Sequence, residues 1–315
     1  MRLVFCGTPQ FAVPVLEALA HGGHDVSLVV TQPDRARGRG MEVSHSPVKD
    51  AALKLGVPVT QPERIKNNDE FRAQLAALQP EAIIVVGYGR IIPRWMIDLP
   101  RYGNLNVHAS LLPKYRGAAP IQWAIAMGEH VTGVTTMRID EGLDTGDILL
   151  QAELPIEPAD TSITLAPRLA AIGARLMIDT LQGLQDATLL ARPQDHAHHT
   201  LAPILKKEDG LVDFNLTAND IVNRFRGFQP WPGAFSTFRH KSVTFHSLAS
   251  LPSGVAVLAP GEIAIQCDSL IAGSGQGTVL EILELQLEGK RRMPARDFIH
   301  GYQPKSGERF GQAKS

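Results

Sequence analysis

The sequence predicts an α/β protein, with an open, mostly parallel, doubly wound sheet followed by a small β-barrel domain. In the first half, short β-branched runs alternate with helical patterns, as they do in βαβ folds. Beyond about Lys207, runs of alternating polarity are separated by Gly, Pro and Ser, which is typical of antiparallel strands. The chain has 315 residues, 44% of them hydrophobic, and is therefore long enough for two such cores.

The strands of the first half are continuously hydrophobic, as expected of parallel strands that are buried on both faces. They are predicted at Leu3–Cys6, Val26–Thr31, Ile83–Val86, Leu105–Val107, Val134–Ile139 and Ile148–Leu154. Apolar residues at helical spacing predict the remaining elements of this half. These helices are Phe11–Ala20, Pro47–Leu55, Asp69–Leu78 and Thr161–Leu184.

A polar stretch around Arg192–His199, with one proline and no periodicity, predicts a linker. We therefore expect a first domain over residues 1–189, a linker over 190–206 and a second domain over 207–315. The second domain is expected to start with a helix at Ala218–Phe228. Its predicted strands are Ala234–Phe238, Ser242–Leu248, Gly254–Leu258, Glu262–Cys267 and Val279–Leu287.

Composition argues against several classes of protein. No apolar run approaches the roughly 18 residues that a membrane-spanning helix needs, and Met1–Gly7 reaches a glycine too soon for a signal peptide. We therefore expect a cytoplasmic protein with no membrane partner, as a monomer. Cys6 and Cys267 lie far apart and predict neither a disulfide framework nor a thiolate metal site.

Motifs for the common cofactors are missing. The first strand leads into Gly7-Thr8-Pro9 and lacks the glycines of G-x-G-x-x-G, which disfavours nicotinamide binding, and no Walker A sequence occurs. His196, His198 and His199 are clustered, but no carboxylate or thiolate stands at a fixed spacing from them. No metal is therefore expected.

Asn106, His108 and Asp144 are the candidate catalytic residues. Ligands of open α/β sheets bind at the carboxyl ends of the strands, where the run Leu105–Val107 would place Asn106 and His108 on one face. An uncharged amide donor beside an imidazole that titrates near neutral pH suits an oxyanion that forms and then collapses. Asp144, in the turn Gly142–Asp147, could return beside His108 and favour its charged form.

The fifteen residues from Asn106 to Pro120, NVHASLLPKYRGAAP, closely resemble the signature of folate-dependent formyltransferases, and Leu143–Asp147 resembles the family's second catalytic loop. The resemblance implies a Rossmann-like catalytic domain and 10-formyltetrahydrofolate as the one-carbon donor. It also implies that an amine attacks the formyl carbon while Asn106 and His108 hold the resulting oxyanion. Asp144 would fix the protonation of His108 and accept the amine's proton.

The donor pocket follows from the same resemblance. The segment from Gly87 to Pro93 resembles the part of the family that lines the pterin, and Ser110–Pro113 resembles the folate-contacting loop. The backbone around Asp140 is implied to complete the pterin hydrogen bonds. The expected folate-binding residues are Tyr88, Arg90, Ile92, Ser110, Leu111, Leu112, Pro113 and Asp140.

The core signature is shared by enzymes that act on different amines, including a ribonucleotide, an amino-sugar nucleotide and an aminoacylated tRNA. The length of the chain excludes the short ribonucleotide enzyme. The start Phe5–Pro14 and the arginine loop that runs from Thr31 to Lys49 resemble the enzymes acting on tRNA, although Met41-Glu42-Val43 stands where relatives often carry lysines. A second domain like the family's oligonucleotide-binding (OB) fold follows, which the sugar-nucleotide enzyme shares.

The expected partners are therefore methionyl-initiator-tRNA and 10-formyltetrahydrofolate. Seven Lys and Arg against two acidic residues from Lys290 onward, together with the arginine loop, give two basic islands in a chain of formal net charge -1. The expected tRNA-binding residues are Arg35, Arg37, Arg39, Lys290, Arg291 and Arg292, and Arg224 and Arg226 are also available for backbone contacts. Two alternatives stay open: an amino-sugar nucleotide formyltransferase, and a non-catalytic RNA-binding protein on the same scaffold.

Overall fold

The computed structural model describes residues 1–37, 42–252, 254, 256–266 and 268–311. The chain divides into two compact units. The first unit comprises Met1–Ile121, Val131–Ile156 and Thr164–Ile204. The second comprises Gln122–His130, Glu157–Ile163 and the chain from Leu205 onward.

The first unit is built on a seven-stranded mixed sheet and a separate two-stranded hairpin. Its strands are β1 (Arg2–Gly7), β2 (Asp25–Val30), β3 (Arg35–Arg37), β4 (Glu42–Ser44), β5 (Val59–Thr60), β6 (Ala82–Val86), β7 (Asn104–His108), β8 (Val131–Arg138) and β9 (Ile148–Pro155). The order in the large sheet is β5-β2-β1-β6-β7-β8-β9. The first five are parallel, whereas β8 and β9 add antiparallel pairs at one edge. The predicted mostly parallel α/β sheet is confirmed.

The helices along this part of the chain are α1 (Val13–His21), α2 (Pro47–Lys54), α3 (Asp69–Leu78), α4 (Arg94–Ile97), α5 (Pro120–Ala126) and α6 (Ser162–Gln185). The four predicted helices correspond to α1, α2, α3 and α6, whereas the short helices α4 and α5 were not predicted. A 3₁₀ turn over Gln10–Ala12 precedes α1, so the predicted start at Phe11 was slightly early. Ser46 caps α2 by accepting from Lys49 N–H, and Asn68 caps α3 by accepting from Phe71 N–H.

Helix α6 lies close behind β7 because it carries Gly173. A Cβ at Gly173 would come within 2.8 Å of the Val107 side chain, which is ordinarily too close. The sheet core on the other side is aliphatic and aromatic, and it includes Cys6, whose thiol pKa is raised by burial. Close packing on both faces fixes β7, which carries Asn106 and His108.

The second unit is built on an antiparallel sheet, which confirms the predicted β domain, and it also contains most of helix α5. Its elements are α7 (Ala218–Gly227), β10 (Ala234–Phe238), β11 (Lys241–Leu251), β12 (Ile263–Gln266), β13 (Ser269–Gly273), β14 (Val279–Leu287), β15 (Met293–Pro294) and α8 (Ala295–Tyr302). The strand order is β10-β11-β14-β13-β12, and β15 pairs with β14. Register shifts in the β11–β14 ladder around Ser247 bend this sheet.

Two strand predictions in this unit need correction. The run Gly254–Leu258 was predicted as a strand, but Gly254 lies in a turn with φ of 87° and residues 256–258 have no regular structure. Strand β13 was missed because Ser269–Gly273 is only five residues long and ends in small residues. The predicted strand Glu262–Cys267 is shorter in the structure, and Cys267 lies outside the described residues.

Candidate active site

Strand β7 delivers two of the candidate catalytic side chains to the carboxyl edge of the sheet. Residues 104, 106 and 108 share one face because side chains alternate along a strand. Asn104 anchors this strand, since its buried Nδ2 donates to the Met96 carbonyl at 2.7 Å and to the Ile97 carbonyl at 3.2 Å. Asn106 and His108 follow toward the open end, where His108 is 5% exposed.

The structure brings Asn106, His108 and Asp144 together. Asn106 Nδ2 donates to Asp144 Oδ1 at 3.3 Å, and Asp144 Oδ2 lies 3.7 Å from His108 Nδ1. The backbone N–H of Gly117 also donates to Asp144 Oδ2, at 2.9 Å. The Asp144 side chain is 17% exposed, so its carboxylate is mostly shielded from water. Its neighbours there are Asn106 Nδ2, His108 Nδ1 and the Gly117 N–H.

The tautomer of His108 follows from its second contact. His108 Nε2 lies 2.9 Å from the backbone oxygen of Tyr115. A carbonyl oxygen can only accept, so Nε2 carries a hydrogen in this contact. Nδ1, which faces Asp144, is therefore the nitrogen available to gain or release a proton.

A network of hydroxyls and amides fixes the segment that follows β7. Ser110 Oγ donates to the Lys114 carbonyl at 2.6 Å, and Thr135 Oγ1 donates to the Ser110 carbonyl at 2.6 Å. Leu112 N–H donates to Thr135 Oγ1 at 3.1 Å, and Gln151 Nε2 donates to the Leu112 carbonyl at 2.9 Å. This part of the predicted folate loop is therefore tied to strands β8 and β9.

The predicted folate-binding residues differ in exposure. Tyr88, Ile92, Ser110 and Leu112 are buried, whereas Leu111 and Pro113 are half-buried. The Tyr88 ring lies in the sheet core, and burial raises the pKa of its hydroxyl. Ile91, which simple hydrophobicity would place in the core beside Ile92, is instead 89% exposed.

A polar cavity of about 470 Å³ lies at the carboxyl ends of β1 and β2. Arg90 borders it and donates from Nε to Gln32 Oε1 at 3.2 Å, while Gln32 Nε2 donates to the Tyr88 carbonyl at 3.0 Å. The cavity is lined by Thr8, Gln32, Pro33, Ser44, His45, Ser46, Gly89 and Arg90. Such a cavity at this edge of a parallel sheet is a suitable place for a polar ligand.

Asp140 uses its carboxylate to shape the loop that carries Asp144. Asp140 Oδ1 accepts from Gly142 N–H at 3.0 Å and from Thr145 Oγ1 at 2.7 Å. Gly146 is also required by the loop, because a Cβ there would overlap the Arg138 carbonyl. Within this loop Asp144 adopts φ of 50°, a left-handed conformation that is uncommon for any residue except glycine.

The arginine loop begins beside a charged network. Lys49 donates from Nζ to Asp34 and to Gln61 Oε1. Hydrogen bonds from Lys49 and Gln61 hold the pKa of the Asp34 carboxyl below its usual value. The backbone of Arg35–Arg37 forms β3, which pairs with β4. The predicted tRNA-contacting Arg39 lies outside the described residues.

The second basic island is exposed in the second unit. Lys290, Arg291 and Arg292 follow β14 at the surface, and Arg292 pairs with Glu284. By contrast, Arg224 lies over the rings of Trp123 and Phe228, at 5.7 and 5.1 Å from their centroids. Arg226, the other cation of helix α7, is also engaged inside the unit, where it donates from Nη1 to the Asp160 carbonyl at 2.9 Å.

The histidines of the predicted linker contact other groups of the protein. His196 Nδ1 lies 3.1 Å from Arg116 Nη2, His198 Nδ1 lies 2.8 Å from Asp195 Oδ2, and His199 Nδ1 donates to the His196 carbonyl at 2.8 Å. Among the described residues, no three His, Cys, Asp or Glu side chains are grouped as metal ligands.

None of the helices in the described ranges combines the length and apolar character needed to cross a bilayer.

Two buried residues near Asp144 were not singled out from the sequence. Arg116 and Gln194 are each 5% exposed, and Arg116 Nη2 donates to Gln194 Oε1 at 2.6 Å. Gln194 falls inside the polar stretch that predicted a linker, where no periodicity marks it as buried. The burial of a polar side chain in such a stretch is visible only in three dimensions.

The fold and this cluster define a class of transferase. Residues 1–181 match the family described as formyl transferase, and residues 204–303 match the formyl transferase C-terminal domain. A sugar 3N-formyl transferase, WlaRD, superposes with a TM-score of 0.67, covering 92% of this chain and 99% of that chain. Its sequence identity is 18%, so this likeness concerns the fold alone.

Curated relatives narrow the class. The methionyl-tRNA formyltransferase of Koribacter versatilis is 66% identical over 315 residues, covering 100% of both chains. That of Acidobacterium capsulatum is 63% identical over 301 residues, covering 96% of both. The chain therefore belongs to the formyl transferase family, in its methionyl-tRNA formyltransferase branch.

Proposed function

We propose that this protein transfers the formyl group of 10-formyltetrahydrofolate to the α-amino group of methionyl-initiator-tRNA, for translation initiation. The observation that carries the proposal is the cluster of Asn106, His108 and Asp144 at the carboxyl edge of the sheet, in which Asn106 donates to Asp144 and His108 Nδ1 lies 3.7 Å from it. The full-length similarity to methionyl-tRNA formyltransferases supports the choice of acceptor.

The cluster suits addition of an amine to a formyl carbon. Asn106 Nδ2 would donate to the formyl oxygen as it becomes negative, and a protonated His108 beside it would add a positive charge. Asp144 would accept the proton that the attacking amine releases, directly or through water. As the oxyanion collapses, the C–N bond to the folate nitrogen breaks and that nitrogen takes the proton that Asp144 accepted, leaving an N-formyl amine.

The donor would be held beside this cluster. We assign its contacts to the loop Ser110–Pro113, to Arg90 and Ile92, and to the backbone near Asp140. Tyr88 would contribute through its backbone only, because its ring is packed in the core. The network around Thr135 supports this assignment, since it gives the loop a fixed shape before any ligand binds.

The acceptor would reach the site along the arginine loop. We assign contacts with tRNA to Arg35, Arg37 and Arg39, and further backbone contacts to Lys290, Arg291 and Arg292. Arginines suit phosphate contacts because a guanidinium can donate two hydrogen bonds to one phosphate.

The organisation of the chain completes the proposal. We propose a catalytic domain over residues 1–189, a linker over 190–206 and a tRNA-binding domain over 207–315. The protein would act as a cytoplasmic monomer, without a bound metal.

A single assay tests the function. The purified protein is incubated with 10-formyltetrahydrofolate and either methionyl-initiator-tRNA or an amino-sugar nucleotide, and the N-formyl product is measured. We expect formylation of the tRNA alone. Formylation of the sugar would favour the other branch of the fold, and RNA binding without a formyl product would indicate a non-catalytic protein.

A further inference from the structure

Gln194 makes four hydrogen bonds from a nearly buried position. Its Nε2 donates to the Asp144 carbonyl at 2.8 Å and to the Gly146 carbonyl at 2.7 Å. Its Oε1 accepts from Arg116 Nη2 at 2.6 Å and from Arg116 Nε at 3.1 Å. Both amide hydrogens and both lone pairs of the side chain are therefore used.

The loop that Gln194 holds needs such support. Asp144 has φ of 50°, a conformation that is unfavourable for a residue with a side chain and persists only where surrounding contacts impose it. Gln194 bridges the carbonyls of Asp144 and Gly146, two residues apart, and so fixes the turn between them. The direction of the Asp144 carboxylate depends on that turn.

Arg116 closes this network on the other side. Its guanidinium holds Gln194 Oε1, while its backbone N–H donates to the Thr200 carbonyl at 2.9 Å and its carbonyl accepts from Ala202 N–H at 2.7 Å. The next residue, Gly117, donates its N–H to Asp144 Oδ2. One dipeptide thus contacts the Asp144 carboxylate directly and the Asp144 backbone through Gln194.

We infer that Gln194 is a positioning residue for formyl transfer, with Arg116 as the group that orients it. Gln194 sets the backbone of the loop, and the loop aims the Asp144 carboxylate at Asn106 and His108. This inference rests on the proposed catalytic role of Asp144. It gives the segment 190–206 a function in the catalytic unit that a simple linker would not have.

The variant Gln194→Glu isolates this role. Glutamate has the same shape and still accepts from Arg116, but it loses both N–H donors and places a negative oxygen against two carbonyls. We expect kcat for formylation of methionyl-tRNA to fall about 10²-fold, the effect of a catalytic group displaced by about 1 Å, with KM values within about threefold of wild type. Gln74→Glu, the same change at an exposed site on α3, should leave kcat unchanged.

A double-mutant cycle separates positioning from a general structural effect. If Gln194 acts through Asp144, then adding Gln194→Glu to Asp144→Asn should lower kcat by less than about threefold further. Losses that multiply in the double variant would overturn the inference. So would a Gln194→Glu enzyme with wild-type kcat, or one whose loss lies in KM alone.

Hydrogen exchange gives a readout that does not depend on activity. In the Gln194→Glu protein, amides of the loop 142–147 should exchange faster, while those of β1 and β6 should keep their protection. Arg116→Lys keeps the charge but loses the two hydrogen bonds to Gln194 Oε1, and it should speed exchange in the same loop to a smaller extent. This variant replaces Gln194→Glu in the experiment if Gln194→Glu fails to fold. Unchanged loop exchange in a folded variant would overturn the inference, whereas a wild-type protein inactive on methionyl-tRNA would instead refute the proposed function.

Discussion

At the scale of single residues, the site is defined by which atoms already have partners. Tyr115 accepts the Nε2 hydrogen of His108, which leaves Nδ1 facing Asp144 at 3.7 Å. That separation is too long for a hydrogen bond, although the two groups face each other in a site that is largely buried. In the proposed mechanism, His108 would therefore gain or release a proton at Nδ1, beside the Asp144 carboxylate.

The first prediction concerns Asp144→Asn, a change of nearly equal shape that removes the negative charge. Because the proposed proton acceptor is lost, the rate of formyl transfer in a single turnover should fall about 10²–10⁴-fold. Binding of 10-formyltetrahydrofolate, measured by equilibrium titration, should stay within about threefold of wild type. A variant that retained the wild-type single-turnover rate would exclude Asp144 as the proton acceptor.

Sequence reasoning identified the three clustered side chains but not their support. The motif supplies residues that the chemistry needs, and strand alternation places Asn106 and His108 on one face. Gln194 is 50 residues away from Asp144 and 78 away from Arg116, with no periodic pattern to mark either contact. Contacts of this kind depend on how loops meet in space, which local patterns do not encode.

At the scale of elements, the loop that carries Asp144 depends on a glycine. The second prediction is that Gly146→Ala moves the loop of Asp144, because a Cβ would overlap the Arg138 carbonyl on the neighbouring strand end. We expect at least about a tenfold loss of kcat, measured with methionyl-tRNA at saturating donor. Gly301→Ala on α8, where a Cβ would meet no neighbour, should keep full activity. Equal kcat in both variants would contradict the prediction.

The arginine loop gives the third prediction. Replacing Arg35, Arg37 and Arg39 by Gln should raise KM for methionyl-tRNA and flatten its dependence on salt, because fewer counterions are released on binding. Affinity for 10-formyltetrahydrofolate should not change. A control with Lys54, Lys66 and Arg175 replaced by Gln removes the same charge from exposed positions elsewhere. If both triple variants had the same salt dependence, the loop would have no specific role.

Secondary structure was predictable where its pattern was long or strongly apolar. The predicted Thr161–Leu184 and the observed α6, Ser162–Gln185, agree within one residue at each end because apolar positions repeat along the whole helix. The run Gly254–Leu258 misled because alternation over five residues is weak and its glycine adopts φ of 87°. Short strands such as β13 form because neighbouring strands pair with them, which is a tertiary effect.

At the scale of the whole molecule, the units are not simple halves of the sequence. Gln122–His130 belongs to the second unit although it precedes β8 of the first. Within that second unit, Trp123 packs edge-on against Phe228 with ring centroids 5.2 Å apart. Gly227 permits the close approach, since a Cβ there would come within 2.5 Å of the Gln122 carbonyl. A domain division based on composition alone cannot detect that this early segment packs with the later part of the chain.

An ion pair in the second unit joins Arg239 to Glu308, which are far apart in the sequence. Arg239 Nε and Nη2 each donate to one oxygen of Glu308 at 2.8 Å, and Lys305 N–H donates to Glu308 Oε2 at 2.7 Å. The Arg239 guanidinium, helped by this backbone donor, lowers the pKa of Glu308 to about 2. Because the pKa is lower in the folded protein, the stabilisation is present above the unfolded value and is lost as the pH falls toward 2.

The fourth prediction follows from that sign. Glu308→Gln should lower the free energy of unfolding at pH 7 by about 1 kcal/mol, a value reduced by solvent screening because Arg239 is 44% exposed. The difference in the free energy of unfolding between variant and wild type, measured by urea denaturation, should shrink between about pH 4.5 and pH 2. Arg239→Gln should cost more than Glu308→Gln at pH 7, because Arg239 also donates from Nη1 to the Tyr302 carbonyl at 3.0 Å. Adding Glu308→Gln to Arg239→Gln should have little further effect, since their shared ion pair is already lost. A difference that stayed constant down to pH 2 would show that Glu308 stabilises the unit by packing and not by its charge.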